Sequence, residues 1–216
     1  MPRRYHGEER PETRALHYTN RMGDTYYLHE GRTKTGKPRY FVARSIREGA
    51  LTAMPAGFAF TESINAVVSV ARKTGPELSP LPATDLELVQ VELSRHEHLW
   101  GHKAAPFKGD IVVYQPLGAL AEAAFSGFAR SVWLGLEETP AYKQRLAEAR
   151  QHVLSKAQFD PVFKFSPATE PAGIYIAWRM CYRGRGGWLR LRSGRLTVLA
   201  QRYIRLLGTD ELFEHF

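Results

Sequence analysis

Eight arginines and no carboxylate lie between Glu170 and Asp210: Arg179, Arg183, Arg185, Arg190, Arg192, Arg195, Arg202 and Arg205. The segment contains no lysine. A guanidinium is a planar fork of donors that fits a phosphate and also stacks on flat rings. Tyr175, Trp178, Tyr182, Trp188 and Tyr203 interleave with these cations. Cationic side chains that follow a phosphate backbone, with aromatic rings receiving the bases, suit a single-stranded nucleic acid. The glycine-rich loop Arg183-Gly-Arg-Gly-Gly187 would offer backbone N–H groups and guanidiniums to a phosphate, or else serve only as a hairpin turn. A second basic group, Arg32, Lys34, Lys37 and Arg39, brackets the loop Gly31–Arg39. The expected contacts are therefore Arg32, Lys34, Lys37, Arg39, Arg183, Arg185, Arg190 and Arg192 to phosphates, with Tyr182 or Trp188 as the stacking platform.

A different chemistry is offered by His96, His98 and His102, spaced H-x-H-x3-H. On a strand, His96 and His98 would share a face and could offer two imidazoles to a divalent metal. Glu92, Glu97 or Asp110 would complete a hydrolytic centre, although no motif fixes a third ligand. Cys181 sits within an apolar, strand-like run, where a lone cysteine usually packs as a small hydrophobe. There is no G-x-S-x-G elbow and no phosphate-binding G-x4-G-K-[ST] loop. Lys34-Thr35-Gly36 matches a β-lactamase tripeptide, but no S-x-x-K accompanies it.

Composition bounds these options. The chain has 216 residues, 44% of them hydrophobic and 24% charged, with 30 Lys and Arg against 22 Asp and Glu for a net charge of +8. Such a chain can bury one good core or two small ones. Residues 1–47 hold eleven basic and five acidic side chains, so the excess is concentrated in two segments and the remainder is net negative. Segregation of this kind implies electropositive faces rather than a neutral mosaic. A single cysteine excludes an internal disulfide framework. No run of about 18 apolar residues suggests a membrane span, and the amino terminus lacks the apolar core of a signal peptide, which makes the cytoplasm the expected setting.

The elements that must position these residues follow from periodicity. Residues 1–15 read as a flexible leader, and 16–72 as a small antiparallel β-meander. Asp24–His29 and Arg39–Arg44 form one hairpin, Gly57–Thr61 and Ala66–Ala71 another. Residues 73–84 hold three prolines and a glycine and read as a linker. Residues 85–216 form an α+β domain with a basic C-terminal hairpin and helix. Within it, Leu86–Leu93 alternates like a strand, as does Asp110–Tyr114. Leu117–Leu136 and Thr139–Lys156 read as helices, the second with Thr139 as its cap and Pro140 in its first turn. Strands Val162–Phe165, Gly173–Tyr182 and Trp188–Arg192 precede a last helix, Arg195–Leu207, which Ser193-Gly194 opens and Gly208 ends. The class is α+β, antiparallel and strand-rich.

Asn20-Arg-Met-Gly-Asp-Thr-Tyr-Tyr-Leu-His29, continuing to Thr33-Lys-Thr-Gly-Lys-Pro-Arg-Tyr40, resembles a pattern near the start of a group of uncharacterised prokaryotic hypothetical proteins. Arg179-Met-Cys-Tyr-Arg-Gly184 with Gly187-Trp188 resembles a pattern near their end. The resemblance implies no activity. Tyr26-Tyr27, His29 and Thr33 are also similar to the middle of WW domains. That family is excluded because the first tryptophan here is Trp100 and the closing Trp-x-x-Pro is absent.

Three functions are therefore expected in turn. The first is a basic nucleic-acid-binding protein, for DNA or RNA without strong sequence preference, that has no cofactor and no catalysis of its own. The second is a metal-dependent phosphodiesterase or nuclease built on the histidines. The third is an interaction subunit whose basic face meets an acidic protein partner.

Overall fold

The computed structural model describes residues 15–73, 81–117, 139–181 and 187–214. The chain divides into two compact units, Met1–Pro76 and Glu77–Phe216. The class is α+β and antiparallel throughout, with a strand meander in the first unit.

The first unit has a three-stranded sheet, β1 (His17–Thr19), β2 (Thr25–Arg32) and β3 (Pro38–Ala43), in that order. A two-stranded hairpin, β4 (Phe58–Glu62) and β5 (Val68–Arg72), accompanies it. The layers meet through rings: Tyr40 sits edge-on to Phe58 with centroids 4.8 Å apart, and Tyr18 lies 5.4 Å from Phe60.

Polar clamps complete the contact. Asn20 is buried; its Oδ1 accepts from the N–H groups of Met22 (3.0 Å) and Asp24 (2.8 Å). Its Nδ2 donates to the Ala66 carbonyl at 2.9 Å, tying the β1–β2 turn to the β4–β5 turn. The Arg21 guanidinium donates to the Ile64 carbonyl (2.6 Å), while Glu62 accepts from the Arg21 N–H (3.1 Å) and the Tyr18 hydroxyl (2.9 Å). The Asn-Arg-x-Gly-Asp motif is thus a structural clamp, with Gly23 supplying the positive φ (+87°) of its turn.

The second unit is built on one antiparallel sheet in the order β10-β9-β8-β7-β6. Its strands are β6 (Lys103–Phe107), β7 (Asp110–Pro116), β8 (Phe159–Pro167), β9 (Ile174–Met180) and β10 (Trp188–Arg195). Helix α1 (Ala83–Ser94) and helix α3 (Leu196–Tyr203) pack on one face. Beneath them Ile111, Val113, Phe163 and Phe165 are fully excluded from water, with Leu199, Ile204 and Leu207 above. Helix α2 (Pro140–Lys156) enters β8, and α4 (Glu211–Glu214) ends the described chain.

Four local expectations are corrected. Leu86–Leu93 lies within helix α1, not a strand, and the helix already begins inside the expected linker, at Ala83. Its apolar residues satisfy both periods, and the helical one wins because Val89 and Leu93 then face the sheet while Val91 stays exposed. Ser193 and Gly194 lie within strand β10, which runs to Arg195, so the last helix starts at Leu196; the turn Ile204–Leu206 that follows it is 3₁₀. Strand β6 carried no signal, because Lys-Ala-Ala-Pro-Phe lacks β-branched residues; as an edge strand it tolerates Pro106. His96 and His98 are on no strand: His96 precedes the 3₁₀ turn Glu97–Leu99. The expected leader through residue 14, most of the helix Leu117–Leu136, and residues 182–186 fall outside the described residues.

Candidate functional site

The tip of the β2–β3 hairpin is held by its own backbone. The Thr33 N–H donates to the Lys37 carbonyl and the Gly36 N–H to the Thr33 carbonyl, both at 2.9 Å. The Lys37 N–H donates to Thr33 Oγ1 at 3.1 Å. Gly36 has φ +77°, a conformation that costs other residues strain. The Lys-Thr-Gly tripeptide is therefore turn chemistry. This reversal presents Arg32, Lys34, Lys37 and Arg39, all exposed and none in an ion pair among the described residues. The neighbouring cations differ. Arg44 pairs with Asp24 at 3.0 Å, and Arg21 is engaged by Glu62 and Ile64. At the tip, four cations without a carboxylate partner stand together.

In the second unit, cross-strand register assigns faces. Arg190, Trp178, Lys164, Val112 and Ala105 form one row across all five strands. Leu189, Arg179, Phe163, Val113 and Ala104 form the next row, on the helix-covered face. A bulge between Arg190 and Arg192 shifts the register, so Arg192 lies opposite Ala177, on the helix side, and the two arginines do not share a face. Arg190, Arg192, Arg195, Arg202 and Arg205 are exposed and in no ion pair among the described residues. Arg179 is buried, its guanidinium 4.9 Å from the Phe213 ring, and belongs to the core.

Trp188 is half-buried, and the Lys164 ammonium lies over its ring at 5.2 Å and over Trp178 at 5.5 Å. Lys164 also pairs with Asp110 at 2.7 Å. One face of each indole is thus occupied by a cation rather than open to a base. Tyr182, Arg183 and Arg185 lie outside the described residues. The two basic segments belong to different units.

The histidines gather around a cavity of about 900 Å³ lined by His96, His98, His102, Glu97, Trp100 and Lys103 among others. His96 Nε2 lies 3.3 Å from Glu92 Oε1, and the other oxygen of that carboxylate accepts from Arg95 at 2.7 Å. The His96 and His98 rings are 5.8 Å apart and tilted by 59°. His102 Nδ1 donates to the Leu99 carbonyl at 3.0 Å, and burial pushes its pKa below the ordinary histidine range. Asp110, a candidate third ligand, is held by Lys164. Among the described residues no group of three or more His, Cys, Asp or Glu is arranged to hold a metal ion. Cys181 follows β9 with its N–H bonded to the Gly187 carbonyl at 3.0 Å, and it lines a second cavity of about 640 Å³ with His102, Asp160 and Asp210.

Sequence reasoning passed over Phe41. Its signal was alternation along β3: Tyr40 packs on Phe58, so Phe41 and Arg39 must face the other way. No protein-family model, curated protein or solved structure matches the chain.

Proposed function

We propose that the protein binds the phosphodiester backbone of nucleic acid, without strong sequence preference and without catalysis of its own. The observation that supports this is the uncompensated charge: Arg32, Lys34, Lys37 and Arg39 crowd one hairpin tip with no carboxylate partner among the described residues, while the flanking Arg44 is paired. Clustered cations left without partners keep their full attraction for a polyanion, because no internal carboxylate must be displaced first. Arg190, Arg192 and Arg195 add further unpaired charge along the edge strand β10 of the other unit, on both of its faces.

Salt dependence is the test, because each neutralised phosphate releases counterions. Binding of a random single-stranded oligonucleotide should weaken steeply as salt rises. Replacing Arg32, Lys34, Lys37 and Arg39 together by Gln should lower the slope of log K against log salt by about 3, at roughly 0.7 per lost phosphate contact. No binding at low salt, or a slope unchanged in the variant, refutes the proposal. Tighter capture of polyglutamate than of the oligonucleotide would favour an acidic protein partner instead.

A further inference from the structure

We infer that the β2–β3 hairpin takes single-stranded rather than duplex nucleic acid, with Phe41 as the ring on which an unpaired base stacks. This rests on the nucleic-acid reading above and narrows it to one substrate class.

Phe41 is 37% exposed, the only exposed Phe, Tyr or Trp among the described residues of the first unit. Its ring is nevertheless fixed. One side lies on the His29 imidazole, centroids 5.4 Å apart and planes within 19°. His29 is itself fully buried and bonded at both nitrogens: Nδ1 donates to the Tyr27 carbonyl (2.9 Å) and Nε2 accepts from the Arg47 N–H (3.1 Å). Gly31 supports the same geometry, since a Cβ there would lie 3.2 Å from Phe41 Cε1. The ring therefore keeps its orientation without the protein having to order it on binding, which favours stacking of a second flat group on the free side.

The surroundings of the ring suit a nucleotide. Arg39 lies two residues before Phe41 on the same strand face, about 7 Å along the strand, and opposite Gly31. The tip cations continue in the same direction. A base on Phe41 would thus bring its neighbouring phosphates onto Arg39 and then Lys37 at the tip. In a duplex both faces of each base are covered by its neighbours, so an exposed ring gains nothing there; an unpaired base offers its face freely.

The experiment uses the full chain with three probes of equal length: single-stranded oligo-dT, a DNA duplex, and a single strand whose central sugars carry no base. The protein should prefer oligo-dT to the duplex at equal salt. Phe41→Ala should weaken oligo-dT binding about tenfold or more, with the salt slope unchanged, and leave the abasic strand unaffected. Phe41→Trp, which restores a flat ring, should recover the affinity and guards against a folding defect in the alanine variant. Arg39→Gln should instead lower the salt slope by about 0.7 and weaken oligo-dT and abasic strand alike. Equal binding of oligo-dT by Phe41→Ala and the native chain overturns the stacking inference while leaving backbone binding intact. Equal losses on oligo-dT and the abasic strand do the same. Failure of the native chain to bind any probe at low salt overturns the nucleic-acid reading itself.

Discussion

The two units solve the burial problem by different means. In the second, two phenylalanines (Phe163 and Phe165) and a set of leucines and isoleucines are sealed from water between sheet and helices. In the first, the buried apolar side chains among the described residues are Leu28 and the small Ala15, Ala66 and Val68, alongside the polar Asn20 and His29. A small unit has too little interior to fill with large apolar groups. It uses satisfied polar groups to set geometry, since a buried donor or acceptor is tolerated only with its partner in place. The lesson is about precision. The second unit is stabilised mainly by non-directional burial, whereas directional hydrogen bonds in the first hold the β1–β2 turn, the His29 ring and, through it, the Phe41 face.

That contrast can be broken by substitution. The largest effect belongs to the second unit: Phe163→Ala should cost about 3–5 kcal/mol of unfolding free energy, because the cavity left under the helices cannot fully collapse. Native-state hydrogen exchange should show the loss at Phe165 and Ala177 but not at Leu28. A loss of equal size at Leu28 would mean that the units do not differ as described.

Asn20→Ala comes next, at about 2–3 kcal/mol confined to the first unit. It orphans the N–H groups of Met22 and Asp24 and the Ala66 carbonyl together. A loss below about 0.5 kcal/mol would show that apolar contacts alone hold the two sheets of that unit.

The smallest effect is a pH dependence in the second unit. Burial lowers the pKa of His102 in the folded state, so just below its ordinary value near 6.5 the unfolded chain binds more protons than the native one. Stability should be fully present above pH 6.5 and decline as pH falls through that value toward the folded pKa. His102→Gln should flatten this slope in chemical denaturation, whereas an unchanged slope would place the proton elsewhere.

Much of the fold was legible from local pattern. The hairpins around Thr33–Lys37 and Ser63–Asn65, helix α2 and the run β8–β10 all follow turn chemistry and periodicity. Helix α1 was not, since Leu86–Leu93 fits two periods and only its fit against the sheet selects one. Strand β6 was invisible because its pairing with β7, not its own composition, makes it a strand. Among candidate site residues, the exposed cations of the hairpin tip and of β10 could be named in advance. The occupation of Trp188 by Lys164 could not, because the two are 24 positions apart and meet only across β9.

Residue order alone thus determined the class, the turns and where charge accumulates, because backbone preferences and side-chain alternation act between near neighbours. Folding in three dimensions determined which cations keep a partner, which ring stays bare and which side of β10 each arginine takes. Those outcomes depend on register and burial, and both are contributed by segments distant along the chain.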